Sequence, residues 1–266
     1  MTRFDEFLSL HAPGRPLLLA NAWDIGSAKA LAFLGYAAVA TTSAGYAATL
    51  GRNDGGVSRD DALSHAAAMA AAVSVPVNAD LENGYAADPE SAAETYAAAA
   101  ESGIAGASIE DYDPDEKAVY PIDEAAARVA AAAAAAHDGP QKMLLVGRAE
   151  NHIRGITDLD DTIARLRAYQ DAGADVLYAP GIVDAADIER VVSAVERPVN
   201  VLALPGVPNV ATLAQLGVAR VSVGSAFSLV SYGALAAAAK ELLDQGTYGF
   251  WSTAAGASAV RGAFDE

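Results

Sequence analysis

Short apolar segments recur along the chain and alternate with longer stretches of helical character. The segments are rich in Val, Leu and Ala with little polar alternation, which is typical of strands buried on both faces. They are Leu17–Ala20, Ala38–Thr41, Val75–Ala79, Gly106–Ile109, Met143–Val146, Val176–Tyr178, Val199–Leu202 and Arg220–Val223. The helical stretches are Ile25–Leu34, Ser58–Ala72, Asp88–Glu101, Ile122–His137, Asp158–Asp171, Ala185–Val195, Val210–Leu216 and a last one from Phe227 to about Leu243.

The ends of these stretches carry the signals of helices that are joined to strands. Ser58 and Asp88 stand at N-cap positions, and Pro89 follows at the first helical position. Four glycines fall just after helical stretches, as helix C-caps do: Gly35, Gly103, Gly173 and Gly217. The repeated alternation of strand and helix predicts an α/β protein with a (β/α)8 TIM barrel fold.

A doubly wound open sheet is the alternative fold. Such a sheet usually carries a Gly-rich dinucleotide loop after its first strand, and the sequence contains no G-x-G-x-x-G motif. No Pro-rich or Ser-rich linker divides the chain. We therefore expect residues 1–266 to form a single barrel domain.

The composition excludes several classes of binding partner and of chemical site. The chain has 34 Asp and Glu against 17 Lys and Arg, so nucleic acid and anionic membranes are poor partners. It has no Cys, which excludes disulfides, thiolate nucleophiles and thiolate zinc sites. The N-terminal residues lack a signal-peptide pattern, and each apolar run is interrupted well before 18 residues. We expect a cytoplasmic protein that binds a small molecule.

Acidic residues crowd the predicted strand ends where a barrel forms its active site. Asp80 and Glu82 follow the third strand, and Glu110 follows the fourth. Carboxylates that converge on one mouth repel one another unless a cation lies among them, and oxygen ligands suit Mg²⁺ or Mn²⁺. We predict Asp80 as the direct metal ligand, with Glu82, Glu110 and Asp54 holding bound waters. A set of ordinary solvated loop carboxylates is the alternative.

One cationic side chain, Arg148, follows the fifth strand. A guanidinium can bind a substrate carboxylate or phosphoryl group through two parallel hydrogen bonds. Backbone amides of Ser43, Ala44 and Gly45, after the second strand, could hold the same anion. These positions predict a small anionic substrate.

Motifs at these strand ends resemble the isocitrate lyase/phosphoenolpyruvate mutase superfamily, in particular its shorter, phosphonomutase-like branch. The matching segments run in order along nearly the whole chain: 21–24 (NAWD), 41–45 (TTSAG), 51–55 (GRNDG), 78–85 (NADLENGY), 109–111 (IED), 147–150 (GRAE), 179–181 (APG), 200–203 (NVLA) and 217–224 (GVARVSVG). Each segment is weak evidence alone. Their order and their register with the eight predicted strands make the resemblance specific.

The resemblance implies Mg²⁺ bound through Asp80, an outer shell of Asp54, Glu82 and Glu110, and anion binding by Arg148 and residues 43–45. Members of the superfamily cleave or form C–C bonds, decarboxylate oxaloacetate, or move a phosphoryl group between oxygen and carbon. Their reactions pass through the enolate of a 2-oxo acid or a close relative of it. They are usually tetramers that exchange a C-terminal helix, so the resemblance also implies a homo-oligomer.

The loop after the fourth strand departs from the superfamily's patterns. Lyases carry a Lys-Lys/Arg-Cys-Gly-His sequence there and phosphonomutases a Lys-x-Asn pair, whereas residues 111–121 read DYDPDEKAVYP. Candidate proton donors are Tyr112, Lys117, Tyr120 and His152, of which Tyr112 and Lys117 join Arg148 and Glu110 in the predicted catalytic set. Trp23 and Asn200 complete the predicted substrate-binding residues, with Tyr46 as a further lining residue.

Three functions remain open at this stage. The first is a Mg²⁺-dependent lyase or decarboxylase for a small 2-oxo or 2-hydroxy di- or tricarboxylate. The second is a phosphonomutase acting on a phosphonopyruvate-like substrate, and the third is a non-catalytic 2-oxo acid binding protein. We also expect residues 111–121 to form a mobile lid, because this acidic stretch holds two prolines and few large apolar anchors.

Overall fold

The computed structural model describes residues 2–139 and 141–265. Within these ranges, eight parallel strands close into a barrel in the order β1-β2-β3-β4-β7-β8-β9-β10, and β10 pairs again with β1. This confirms the predicted (β/α)8 barrel. The barrel strands are β1 (Leu17–Asn21), β2 (Val39–Ala40), β3 (Val77–Asp80), β4 (Gly106–Glu110), β7 (Leu144–Arg148), β8 (Val176–Tyr178), β9 (Val199–Leu202) and β10 (Arg220–Ser222). A hairpin of β5 (Tyr112–Asp113) and β6 (Ala118–Val119) lies between β4 and β7.

Helices follow the strands around the outside of the barrel. They are α1 (Arg3–Ser9), α2 (Ile25–Phe33), α3 (Ser43–Thr49), α4 (Arg59–Ala72), α5 (Pro89–Glu101), α6 (Ile122–Asp138), α7 (Leu159–Asp171), α8 (Ala185–Ala194), α9 (Val210–Gln215), α10 (Ala226–Gln245) and α11 (Trp251–Ala254), followed by a 3₁₀ segment (Ala255–Phe264). Ser58 caps α4 and Asp88 caps α5, as predicted. The short helices α1 and α3 are absent from the sequence prediction.

The core has an inner and an outer layer. Inside the barrel, Leu19, Leu144 and Val146 pack above Phe7 of α1, which is fully buried and closes the amino-terminal end. A Cβ at Gly106 would lie 3.0 Å from the Phe7 ring and 2.9 Å from the carbonyl oxygen of Leu144, so only glycine leaves room for this plug. The outer layer, between strands and helices, consists largely of Ala, Val and Leu. This architecture leaves the carboxyl ends of the strands open.

Helix α10 is exposed although its sequence is apolar. Side chains such as Leu229, Leu235 and Leu243 are 66%, 63% and 85% exposed. Among the described residues, α10 alone is long and apolar enough to cross a membrane by length and composition, and 6% of its apolar window is buried. Lys240 and Glu241 interrupt that window near its end.

Candidate active site

Three charged side chains meet at the open mouth of the barrel. Asp80 is the last residue of β3, Glu110 of β4 and Arg148 of β7. Glu110 and Arg148 are direct partners across β4 and β7, and Asp80 pairs with Ser108 of β4. Because parallel strands of a barrel end at the same rim, the strand ends alone bring these three side chains together.

Asp80 is held by the residue after β2 through its backbone and by the start of α3 through its carboxylate. The backbone N–H of Asp80 donates to Thr41 Oγ1 at 2.8 Å. The backbone N–H of Ser43 donates to Asp80 Oδ2 at 3.3 Å. Ser43 was predicted to bind a substrate anion, and in this structure its N–H is engaged by the protein's own carboxylate. Asp80 is therefore held in one orientation at the mouth.

Glu82 lies on a loop with strained backbone angles, and hydrogen bonds of Glu82 hold the loop in that conformation. Its backbone has φ 48°, and that of Tyr85 has φ 54°, a region that non-glycine residues seldom occupy. The Tyr85 hydroxyl donates to Glu82 Oε1 at 3.1 Å, and Glu110 N–H donates to the Glu82 carbonyl at 2.9 Å. Burial and then the nearby charge of Asp80 raise the pKa of Glu82 to about 7. The loop thus holds the Glu82 carboxylate close enough to Asp80 for the Asp80 charge to disfavour ionisation of Glu82.

Arg148 neutralises the carboxylates around it. Its Nη1 lies 3.1 Å from Glu110 Oε2 and 3.9 Å from Asp80 Oδ1, and its Nε donates to Glu150 Oε1 at 2.6 Å. Burial raises the pKa of Glu110 well above its usual range, and the Arg148 charge opposes that rise. A substrate anion that binds Arg148 must therefore share the guanidinium with these carboxylates.

The sequence prediction missed the ion pair between Glu150 and Arg154, which lies beside those of Arg148. Glu150 is fully buried, and its Oε2 lies 2.8 Å from Arg154 Nε. The Arg154 guanidinium also lies over the ring of Tyr112, 3.6 Å from its centroid. The i, i+4 spacing of Glu150 and Arg154 was the available signal, because such pairs commonly interact within one turn. Arg154 connects the loop after β7 to the β5–β6 hairpin.

Asp111 anchors the strand end that carries Glu110. It is 3% exposed, accepts from Glu150 N–H at 2.7 Å and forms an ion pair with Arg165 at 3.0 Å. The Tyr169 hydroxyl also donates to the Asp111 carboxylate. Both Arg165 and Tyr169 are on α7, so this buried network fixes β4, the loop after β7 and α7 relative to one another.

Two cavities with shared walls open at the mouth. The first, of about 270 Å³, extends from the mouth into the barrel, and the second, of about 290 Å³, lies beneath the β5–β6 hairpin. The first is lined by five of the predicted site residues: Ser43, Ala44, Asp54, Asp80 and Arg148. The second is lined by seven of them: Ser43, Asp54, Glu82, Glu110, Tyr112, Lys117 and Arg148. Most of the predicted site residues therefore face a shared space.

Three predicted substrate-binding residues line neither of these cavities. A Cβ at Gly45 would lie 2.6 Å from Thr42 Cγ2 and 2.9 Å from Trp23 Cβ. Gly45 thus allows α3 to pack closely on Trp23, a packing role for both residues. Asn200 is buried inside the barrel, where its Nδ2 donates to Ser222 Oγ at 2.9 Å.

The candidate proton donors separate into two groups. Tyr112 and Lys117 line the second cavity, whereas Tyr120 and His152 do not. The Tyr120 hydroxyl accepts from Asn83 Nδ2 at 3.2 Å, and its ring lies against a guanidinium in the interior. His152 Nδ1 lies 3.0 Å from the Thr162 hydroxyl, on the outer side of the loop.

The loop expected to be a mobile lid forms an antiparallel hairpin. Tyr112 pairs with Val119 and Asp113 with Ala118. Lys117 occupies the turn with φ 53°. Tyr120 N–H donates to the Asp111 carbonyl at 2.8 Å and ties the base of the hairpin to the barrel. The hairpin therefore covers the second cavity, and its closure on a ligand stays a prediction.

The donor set at the mouth fits a hard divalent cation. Among the described residues, no group of three or more His, Asp or Glu side chains is arranged to hold a metal ion jointly. A Mg²⁺ ion that keeps several waters does not need such a group, since one or two carboxylates suffice. Asp80, Glu82 and Glu110 converge at the mouth, and the raised pKa of Glu82 and Glu110 reflects burial and, secondarily, acidic neighbours. Asp80, with these carboxylates around it, would hold such an ion.

Comparison with known proteins places this geometry in a family. The phosphoenolpyruvate phosphomutase family profile matches residues 7–243. An uncharacterized protein of Mycobacterium tuberculosis is 34% identical over 240 residues, covering 90% of this chain and 89% of its own length. The 2-methylisocitrate lyase of Escherichia coli is 28% identical over 212 residues, covering 72% of this chain and 70% of its own.

A solved structure extends the similarity to the fold. The crystal structure of a candidate lyase or mutase from Burkholderia cenocepacia superimposes with a TM-score of 0.89 at 47% identity, covering 93% of this chain and 90% of that one. Proteins similar to this chain include oxaloacetate decarboxylases and methylisocitrate lyases, and phosphonopyruvate hydrolase shares the fold. The similarity covers the barrel and every strand end that forms the site.

Proposed function

The chain belongs to the phosphoenolpyruvate phosphomutase family, within a superfamily of lyases and mutases, and from this premise we propose that it is a Mg²⁺-dependent carbon–carbon lyase or decarboxylase. Its substrate is a small 2-oxo or 2-hydroxy di- or tricarboxylate that reacts through an enolate. The observation that carries the proposal is the meeting of Asp80, Glu110 and Arg148 at one mouth. Relatives named as lyases and decarboxylases support the reaction class.

Arg148 binds and orients the oxo-acid half of the substrate in the cavity that Ser43 and Ala44 also line. The guanidinium donates to the substrate carboxylate from the side that now faces Asp80 and Glu110. Bound near Asp80, Mg²⁺ would act as a Lewis acid that stabilises negative charge on the 2-oxo oxygen. Because Glu150 holds Arg148 Nε, the guanidinium plane stays fixed while its remaining N–H groups face the substrate.

Tyr112 and Lys117 are the proton donors on the hairpin side of the cavity. Both line the second cavity together with Glu82 and Glu110. When the C–C bond breaks, the enolate carbon takes a proton from a donor on the hairpin side of the cavity. Tyr112 or Lys117 is that donor. The hairpin covers this side of the cavity and keeps bulk water away from the enolate, which water would otherwise protonate.

A substrate panel with a metal control tests the proposal. Pyruvate, glyoxylate and CO₂ release are measured from isocitrate, 2-methylisocitrate, dimethylmalate and oxaloacetate, with Mg²⁺ and with EDTA. We expect release from at least one acid that EDTA abolishes and added Mg²⁺ restores. Turnover unaffected by EDTA would refute the metal's role. Phosphorus NMR with phosphonopyruvate tests the phosphonomutase, and tight 2-oxo acid binding without turnover would identify a binding protein.

The apolar surface of α10 supports a homo-oligomer. Leu229, Val230 and Leu243 are more than half exposed on one 20-residue helix. Large apolar side chains of that number on a monomer's surface mark an interaction site. In the proposed assembly, α10 of one subunit packs on the barrel of another, as the family resemblance implies.

A further inference from the structure

Arg220 is a buried cation without a counter-charge. It begins β10, points into the barrel and is 3% exposed. In the part of the chain that the structure describes, the one hydrogen bond of its side chain joins Nη1 to His11 Nε2 at 3.5 Å. Its Nε has no partner, and it forms no ion pair there.

His11 cannot supply the missing negative charge. Its Nδ1 lies 2.9 Å from the carbonyl oxygen of Phe7, which only accepts, so Nδ1 carries the proton. Nε2 is then the lone-pair nitrogen that faces Arg220. Burial and the Arg220 charge lower the pKa of His11 to about 3, so the imidazole is neutral at physiological pH.

The other two buried arginines have stronger acceptors than Arg220 has. Arg165 pairs with Asp111 and Asp161, at 3.0 and 2.8 Å. Arg128 donates to three backbone carbonyls, those of residues 83, 86 and 87. A buried charge destabilises the folded state unless it is paired and hydrogen-bonded. Of these three arginines in the described chain, Arg220 alone has neither an ion pair nor a carbonyl partner for its guanidinium, and a bound anion would supply one.

The space beside Arg220 is continuous with the substrate site. Arg220 lines the first cavity together with Arg148, Tyr178 and Ser222. Tyr178 lies between the two arginines, with its ring centroid 5.4 Å from the Arg148 guanidinium carbon. Asn78 lines the same cavity, and its Oδ1 has no partner, so the interior end is polar.

A free hydroxyl proton completes the donor set. Ser222 Oγ accepts from Asn200 Nδ2, so its own proton is available to donate. Ser222 and Arg220 line the same cavity, so this hydroxyl proton and the guanidinium border one space.

We propose that the interior end of this cavity is an anion subsite, in which Arg220 binds one singly charged group the size of a carboxylate. The subsite goes beyond the proposed function, and its existence does not depend on which reaction the mouth catalyses. The group is either a free small anion or the second carboxylate of a substrate whose first carboxylate binds Arg148. Both have the same chemistry, and the experiment separates them.

Thermal unfolding in the absence of substrate tests the subsite. The wild type is titrated with formate and with chloride at an ionic strength held constant by a bulky organic sulfonate. A ligand that binds the folded state raises the melting temperature. We expect such a rise in the wild type, and an anion affinity about tenfold or more weaker in Arg220→Met, because the charged hydrogen bonds are lost. Arg197→Met, an exposed site with the same charge change, should keep the wild-type response.

Two results would overturn the subsite. One is an equal rise in the wild type and Arg220→Met, which would mean that the anion acts elsewhere. The other is no response of the wild type to either anion, which would mean that water alone solvates the guanidinium. Should Arg220→Met fail to fold, anomalous diffraction from bromide-soaked wild-type crystals decides, and no peak beside Arg220 refutes the proposal.

Competition identifies the source of the anion. Calorimetry measures the binding of pyruvate and of malate to the wild type with and without chloride. If chloride weakens malate but not pyruvate, the subsite takes the second substrate carboxylate. If chloride affects neither while still raising the melting temperature, the subsite holds an independent anion.

Discussion

Arg148 and Glu110 face each other across two neighbouring strands, with the guanidinium Nη1 3.1 Å from the carboxylate Oε2. The same guanidinium binds Glu150 through Nε. The Nη1 and Nε groups of Arg148 therefore contact carboxylates of the protein. The remaining N–H groups of the guanidinium are the ones that can donate to a ligand. A lysine ammonium cannot contact the protein and a ligand from separate edges in this way, because its three N–H groups project from a single nitrogen atom.

Arg148→Lys should consequently impair both binding and the site's structure. We expect kcat/KM to fall at least about tenfold, since charged hydrogen bonds are each worth about 1.5–3 kcal/mol. Steady-state kinetics on the best substrate of the panel measure the loss. Arg197→Lys, at an exposed position, is the matched control and should behave as the wild type. Equal kinetics for the Arg148→Lys variant and the wild type would mean that only the positive charge matters.

Asp80→Ala should abolish Mg²⁺ binding without destabilising the metal-free protein. The Asp80 charge contributes to the raised pKa of Glu82, so its removal relieves repulsion in the apo site. Functional sites often store strain of this kind. Calorimetric titration with Mg²⁺ and thermal unfolding in EDTA measure the two effects. Asp171→Ala, at the exposed end of α7, provides the control. Undiminished Mg²⁺ affinity in Asp80→Ala would exclude Asp80 as a direct ligand.

Arg154→Met should loosen the β5–β6 hairpin. The Arg154 guanidinium lies 3.6 Å from the Tyr112 ring centroid, an interaction worth about 0.5–2 kcal/mol. A lysine-specific protease should therefore cut after Lys117, in the hairpin turn, several-fold faster in the variant. Mg²⁺ with oxalate should slow the cut in the wild type if a ligand tightens the hairpin. Equal rates in all conditions would mean that the hairpin neither depends on Arg154 nor closes on a ligand.

The sequence was sufficient for the barrel because each strand is a compact apolar run with a glycine or cap beside it. It also located Asp80, Glu110 and Arg148, since a barrel brings strand ends to one rim whatever the loops do. It did not predict the Arg154–Tyr112 contact, which joins residues from different loops. Such contacts depend on side-chain directions that no local pattern encodes.

Close packing explains why some residues predicted to bind substrate lie outside the cavities. Gly45 follows a strand and looks like an anion-binding amide, but it is needed where α3 meets Trp23. The hairpin escaped prediction because its two strands have two residues each, too few for a periodic signal. Arg220 lies in a strand that reads as apolar, and its missing counter-charge is visible only in three dimensions.

His137 should stabilise the fold more at low pH than at high pH. Its Nε2 lies 2.8 Å from Asp175 Oδ2, and this hydrogen bond raises the pKa of His137 above its usual value of 6.5. Because the folded-state pKa is the higher one, the stabilisation is complete below pH 6.5 and is lost as the pH rises through the folded-state value.

The measurement compares His137→Gln with the wild type by denaturant unfolding between pH 5.5 and 9. The difference in unfolding free energy should be largest at the acidic end and should shrink by less than about 1 kcal/mol, as for a partly exposed pair. The carboxylates titrate in both proteins, so the difference isolates His137. A difference that does not change with pH would show that His137 stays neutral in the folded state.

The exposed face of α10 makes the oligomer sensitive to a single charge. Leu235 is 63% exposed, and burying it against another subunit would contribute about 1.5–3 kcal/mol per copy. Leu235→Glu removes that gain and places a carboxylate in an apolar contact, so we expect a shift from oligomer to monomer in light scattering. Gln245→Glu adds the same charge at the exposed end of α10 and should leave the assembly intact. If both variants scatter as the wild type does, α10 does not form the subunit contact, and its apolar side chains need another partner.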